Sequence, residues 1–260
     1  MINRRLVLIF NDGGKSNNLA GVSKDRDALL EYFYSAEGGA WEKSETQVYF
    51  NDCTKNILRE HINFWRNAAS IKYWVIVFSG HGYATSSDTY LELSSDDCCG
   101  IKEIQQMLYG NKCLLIADSC RVLLEEAVED SSKTIERLFS SQTGTAYYRS
   151  KCKQIYDKAW ESVNLNSFNT AFAASFGQAA NDDSQKGAYY IEALLDEAKS
   201  HINSTSLLYG NRIKPIEYAS FAFVHTAASK RVASKSFGEQ QPAISGIGMN
   251  KIPFVVTPNL

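Results

Sequence analysis

Apolar residues along this chain gather into short unbroken runs, separated by stretches where they recur at helical spacing. Residues 6–10, 73–78 and 113–117 carry no charge, the pattern of strands buried on both faces of a sheet. Residues 47–50 read as a shorter strand, and 89–93 as a small extra strand before the acidic turn 94–97. Behind Ser23, a capping residue, Ala28, Leu29, Tyr32 and Phe33 predict a helix that stops at Gly38-Gly39. Thr54 heads a second helix through Ile57, Leu58, His61, Ile62 and Trp65. Ile101, Ile104 and Leu108 mark a third, ended by Gly110-Asn111. The order strand, helix, strand, helix, strand, helix, strand implies parallel strands joined by right-handed crossovers.

The pattern weakens over residues 121–166. Glu125, Glu126, Glu129 and Asp130 come early, loop-type residues fill 140–145, and Arg149, Lys151 and Lys153 form a basic cluster within the polar stretch 147–154. A flexible insert is expected, with part of it helical where Ile135, Leu138 and Phe139 share a face. Order resumes with a strand at 170–175, a polar loop to Lys186 and a helix opened by Gly187 through Tyr190, Ile191, Leu194, Leu195 and Ala198. Pro215 suits the first turn of a further helix with Ile216, Ala219, Phe223 and Ala227. A last strand is expected at 252–256. The prediction is one α/β domain over 1–260, with about six mostly parallel strands and helices on both faces: a part to residue 120, the insert 121–166, and a part from 167.

Composition narrows the setting. At 260 residues the chain can bury a core without staples. Its 27 basic and 29 acidic residues give no broad attraction to nucleic acid or membrane. No apolar run reaches the roughly 18 residues of a membrane helix, and the run at 6–10 is too short for a signal peptide. Cys53, Cys98, Cys99, Cys113, Cys120 and Cys152 show no metal-type spacing, so free thiols in a cytoplasmic, reducing compartment are expected.

Two of the buried runs end in chemistry. Residues 73–78 lead into Ser79-Gly80-His81-Gly82, and 113–117 into Asp118-Ser119-Cys120. The carboxyl ends of parallel strands are where open α/β sheets place their sites. If the two strands are neighbours, His81 can serve as base to a Cys120 nucleophile. Gly82 would let the backbone approach a substrate and offer its amide to an oxyanion. The plain alternative for Cys120 is an inert buried thiol.

Phe78-Ser79-Gly80-His81-Gly82 and Ala117-Asp118-Ser119-Cys120 resemble the histidine and cysteine motifs of caspase-like cysteine peptidases, on the metacaspase and prokaryotic branch. Residues 19–25 resemble the family's first loop and helix start, 175–183 with Gly187 its small-subunit strand and loop, and Gln241-Pro242 with Pro253-Phe254 its carboxyl end. The resemblance spans 6–256 with gaps. It implies a caspase-like fold and cysteine endopeptidase activity with a dyad of His81 and Cys120, the amides of Gly82 and Cys120 forming the oxyanion hole. It maps a specificity pocket onto Asp25, Ser79 and Asp118, where two carboxylates favour Arg or Lys before the scissile bond.

Asp182 and Asp183 are candidates for that pocket or for loop solvation, with solvation the simpler reading. Asp88, Asp96 and Asp97 sit where some metacaspases hold calcium, although one acidic turn is a weak signal; no cofactor is otherwise expected. Arg149, Lys151 and Lys153 are candidate self-processing sites. His61, His201 and His225 read as packed or surface histidines, and Trp41, Trp65, Trp74 and Trp160 as core. Arg121-Val122-Leu123 stands where the metacaspase cysteine is usually followed by His-Ser-Gly, which leaves the shape of that loop open. No pro-domain, death-fold or repeat extension is expected. A protein or peptide substrate follows, with a sensor or inhibitor protein as regulator and a role in bacterial defence or regulated death. The alternatives are a silent scaffold that binds a partner without cutting, and a peptidase with Asp specificity.

Overall fold

The computed structural model describes residues 3–14, 18–68, 70–123, 145–208 and 217–258. In chain order its elements are β1 (Arg4–Asn11), α1 (Val22–Tyr34), β2 (Thr46–Phe50), α2 (Lys55–Ala68), β3 (Tyr73–Gly80), β4 (Gly82–Ala84), β5 (Thr89–Ser94), β6 (Asp97–Gly100), α3 (Ile101–Met107), β7 (Lys112–Asp118), α4 (Ala146–Glu161), β8 (Phe168–Phe172), β9 (Asp182–Asp183), β10 (Gly187–Ala188), α5 (Tyr189–Leu208), β11 (Tyr218–Ser220), α6 (Phe221–Lys235), β12 (Ala243–Ser245) and β13 (Pro253–Val256).

The central sheet has six strands in the order β12-β8-β7-β3-β1-β2. All pairings are parallel except that of β12 with β8. Every residue of β1, β3 and β7 is buried, which is why those runs lack alternation. Their side chains divide by parity between two cores. Leu6, Leu8, Phe10, Val75, Val77, Leu114 and Ile116 meet α1, α4, α5 and α6 on one face. Val7, Ile9, Trp74, Ile76, Phe78, Cys113 and Leu115 meet α2 and α3 on the other. Each large apolar side chain so buried contributes roughly 1.5–3 kcal/mol. Beyond β3 the chain turns into a small antiparallel sheet, β4-β5-β6, that stands over the end of the central one.

Several expectations are corrected. The stretch 147–154, expected as loop, lies inside α4, which Thr145 caps by accepting from the Tyr148 amide. Its charges concealed a buried face of Cys152, Ile155, Tyr156, Ala159 and Trp160. Residues 125–130 and the candidate face at 135–139 lie outside the described residues, as do Pro215 and Ile216. The helix expected from Pro215 begins at Phe221 with Ser220 as cap, and Ala219 belongs to β11. Residues 252–256 do not join the central sheet; β13 pairs with β11, and packing against helices hides its apolar run. The sixth central strand is β12, short and half-exposed, which no periodicity announced. Helix α1 starts at Val22 behind Gly21, and the Ser23 hydroxyl donates back to the Ala20 carbonyl.

Candidate active site

Strands β3 and β7 are neighbours in register, with Ser79 opposite Asp118. Two residues further on, His81 and Cys120 follow these neighbouring strands at the carboxyl edge of the sheet. Gly80 sits so close to β1 that a Cβ would lie 2.5 Å from the Asn11 carbonyl oxygen, so no other residue fits there. The His81 carbonyl accepts from the Glu92 amide at 3.0 Å, tying the histidine to β5. A Cβ at Gly82 would fall 2.7 Å from the Tyr90 carbonyl oxygen and 2.8 Å from the Ser119 Cβ. Glycine at 82 therefore lets the β4 backbone close onto the residue before the thiol.

Cys120 is half-buried. Burial pushes its thiol above the ordinary range, the charges of Asp118 and Glu92 add to this, and a hydrogen bond from the Ala180 amide works the other way. That amide donates to the Cys120 Sγ at 3.3 Å, and the thiol reaches the Ala180 carbonyl at 3.6 Å. A thiol held up in this way needs a base to become nucleophilic, and His81 is the half-buried imidazole at the neighbouring strand end.

The loop past the nucleophile is anchored. Arg121 exchanges backbone hydrogen bonds with Gln178 and Gly177. Its guanidinium donates to the Thr89 hydroxyl at 3.1 Å and the Ala174 carbonyl at 3.3 Å, and lies 3.8 Å from the centre of the Phe172 ring. The Val122 carbonyl accepts from the Ala84 amide. The shape of this loop, left open by the sequence, is thus one in which Arg121 packs against Phe172 of β8.

Asp25, Ser79 and Asp118 come together, all buried. The Ser79 hydroxyl donates to Asp25 Oδ2 at 2.6 Å, and the Ala188 amide to Asp25 Oδ1 at 3.0 Å. Asp118 Oδ2 accepts from the Ile191 amide at 3.2 Å. Two amides near the start of α5 thus hold both carboxylates, and Gly187 leaves room, since a Cβ there would sit 2.0 Å from Asp25 Oδ1. Asp182 belongs to the same cluster. It accepts from the Gly21 amide at 3.0 Å, and its Oδ1 is buried without a hydrogen-bond partner. Burial raises all three carboxyls. Asp118 and Asp182 push Asp25 further up, and Asp182 does the same to Asp118. The charge of His81 acts in the opposite direction on Asp182. Among the described residues no Lys or Arg forms an ion pair with any of the three. Sequence reasoning favoured solvation for Asp182; that assignment fits Asp183, which accepts from the Gln185 and Lys186 amides within its own turn.

Other candidates fall elsewhere. Asp88 accepts from the amides of Thr89 and Lys102, the latter in the first turn of α3. Asp97 accepts from the Lys55 amide at the start of α2, and Asp96 is exposed beside Ser95. Among the described residues no group of three or more His, Cys, Asp or Glu could hold a metal ion, and Asp88 and Asp97 each accept from backbone amides instead. Arg149 donates to the carbonyls of Tyr34 and Trp41, and Lys153 pairs with Glu45 at 2.7 Å. With Lys151 they lie in helix, so the flexible-stretch rationale for cleavage there falls. His61, His201 and His225 lie within α2, α5 and α6. Trp41, Trp74 and Trp160 are buried in the core, and Trp65 packs against it.

No helix among the described residues is long and apolar enough to cross a membrane. A family model described as "Caspase domain" matches residues 4–251. Among solved structures, the chain is similar to the "Crystal Structure of Caspase-1 from Spodoptera frugiperda", with a TM-score of 0.57 and 13% identity, covering 94% of this chain and 86% of that one. At that identity the likeness speaks for the fold. No curated protein matches.

Proposed function

We propose that this chain, which belongs to the caspase-domain family and is a cysteine-type endopeptidase, cuts polypeptides after Arg or Lys with His81 as general base and Cys120 as nucleophile. The observation that carries the specificity is the group of Asp25 and Asp118, buried, with half-buried Asp182 beside them at the carboxyl edge, none in an ion pair with Lys or Arg among the described residues. Buried carboxylates without counter-charge are costly, and a guanidinium or ammonium from a substrate supplies what they lack through charge-assisted hydrogen bonds. An Asp side chain there would add a like charge.

In the cycle, His81 takes the Cys120 proton and the thiolate attacks the scissile carbonyl carbon. The amides of Gly82 and Cys120 hold the oxyanion. The intermediate collapses as His81 protonates the departing amine, leaving a thioester. His81 then takes a proton from water, which attacks the thioester and frees the acid and the thiol. Six free cysteines suit a reducing, cytoplasmic setting. A regulated role in bacterial defence or cell death, under a sensor or inhibitor protein, rests on likeness to the metacaspase branch. It is tested by whether expression of the active protein, but not of a Cys120→Ala variant, arrests the host.

The specificity test uses paired fluorogenic peptides ending in Arg, Lys or Asp. Arg and Lys peptides are expected to be cut and Asp peptides left. Cys120→Ala and His81→Ala should each lose several orders of magnitude in kcat. Faster turnover of the Asp peptide, or near-normal turnover by Cys120→Ala, would sink the reading.

A further inference from the structure

One fully buried amide lies outside the dyad and the pocket, yet two of its side-chain bonds run to the loop that links them. Gln240, between α6 and β12, is 0% exposed. Its Oε1 accepts from the Asn181 backbone amide at 3.0 Å and from Asn181 Nδ2 at 3.1 Å. Its Nε2 donates to the Ala173 carbonyl at 2.9 Å, just past β8. Its own backbone is fixed by the Ser236 hydroxyl, which accepts from its amide at 3.0 Å and reaches its carbonyl at 3.3 Å.

Asn181 is flanked by the two residues that matter most on that loop. Ala180 on one side donates to the Cys120 sulfur. Asp182 on the other faces Asp25 and Asp118. The Asn181 carbonyl accepts from the Tyr189 amide at 3.0 Å, at the start of α5, whose neighbourhood supplies the Ala188 and Ile191 amides to the pocket carboxylates. A glutamine can do this because its amide accepts at one end and donates at the other, and burial makes the bonds costly to lose.

We propose that Gln240 is a positioning residue for the peptidase site: through Asn181 it holds Ala180 against the nucleophile sulfur and Asp182 beside Asp25 and Asp118. The proposal rests on the peptidase reading for its effect on turnover. Its effect on the thiol can be read without any substrate.

Gln240→Met keeps the length of the side chain and removes its bonds. Gln240→Glu keeps the acceptor for Asn181 and loses the donor to Ala173. Gln241→Ala is the control, since that exposed side chain reaches only the Gly238 carbonyl, at 3.5 Å. Alkylation of Cys120 by iodoacetamide, followed by peptide mass against pH, reports the thiolate. The Met variant should move the alkylation midpoint up by about half a pH unit or more, because a donor to the thiolate is lost. Its kcat/KM on an Arg peptide should fall on the order of tenfold to a hundredfold, with KM raised, as a displaced site does. The Glu variant should recover most of both quantities while its melting temperature still drops. Lower melting temperatures in both variants, with no change in midpoint or KM, would reduce Gln240 to a packing residue and overturn the proposal. If Gln240→Met does not fold, Asn181→Leu, which removes the Nδ2 donor, carries the same readouts and the same overturning result. A shifted midpoint in a protein that cuts no basic peptide would leave the positioning role standing and remove the peptidase specificity.

Discussion

The protein buries charge at both ends of its central sheet, and it treats Arg4 at one end and a cluster of acids at the other in opposite ways. At the amino end, Arg4 of β1 is wholly buried. It pairs with Glu45 at 2.8 Å and Asp157 at 3.1 Å, donates to the carbonyls of Gly39 and Ala40, and lies 4.3 Å from the centre of the Trp41 ring. Burial opposes its charge, yet Tyr73, Glu45 and Asp157 hold it more firmly protonated than a free arginine. At the carboxyl end, Asp25, Asp118 and Asp182 have amide and hydroxyl donors but no ion pair among the described residues. Two ion pairs make Arg4 a structural joint, fastening β1 to α4. Incomplete pairing leaves the acid cluster with free energy to gain from an incoming cation.

The largest effect is expected from removing charge at the unpaired end. Asp25→Asn combined with Asp118→Asn should cost on the order of a hundredfold or more in kcat/KM on an Arg peptide, while the melting temperature holds or rises because a buried repulsion is gone. Retained activity on Arg would break the comparison. Next comes Arg4→Met at the paired end. It removes the buried cation from Glu45 and Asp157, leaving them Lys153 and the Tyr73 hydroxyl, and should lower unfolding free energy by about 3 kcal/mol, read from urea denaturation, with the Arg-over-Asp preference of the folded enzyme unchanged.

pH sharpens the contrast with a smaller effect. The three pocket carboxyls are raised above their ordinary values, so the folded protein holds protons that the unfolded chain releases near pH 4. Their contribution to stability is therefore full at low pH and is lost as pH rises from about 4 through the raised values. A small arginine-like competitive inhibitor should bind more tightly over the same rise, by at most about tenfold per pH unit for each proton released. Binding that weakens with rising pH would contradict the pocket. The smallest effect belongs to Lys153→Met. Its pair with Glu45 is partly exposed and should be worth about 0.2–1 kcal/mol. In the same preparation, intact mass should show no cut after Arg149, Lys151 or Lys153, because those bonds lie within α4.

The placement of His81 and Cys120 at neighbouring strand ends was legible in the sequence because unbroken apolar runs end abruptly in them, and β3 and β7 are parallel neighbours. Asp25 and Asp118 were legible only through the family resemblance; as isolated acids they read as ordinary helix and loop residues. Asp182 was hidden by its setting, since a pair of acids in a polar loop looks solvated until Gly21 is seen to donate to one of them. Helix α4 was obscured for a related reason: Arg149, Lys153 and Asp157 read as surface charges, although each has a partner on the rest of the fold. Gln240 carried no local signal at all, because its meaning lies in Asn181, far away in the chain.

That separation has a consequence for the protein's synthesis. Cys120 is translated well before Asp182 and Gln240, with Gln240 following it by 240 − 120 = 120 residues. At ribosomal rates of about 5–20 residues per second, this gap lasts roughly 6–24 s. During that interval the emerging polypeptide carries His81 and Cys120 but has no finished site to receive a cleavable bond. The order of translation therefore places the completion of this edge of the sheet among the last steps of synthesis.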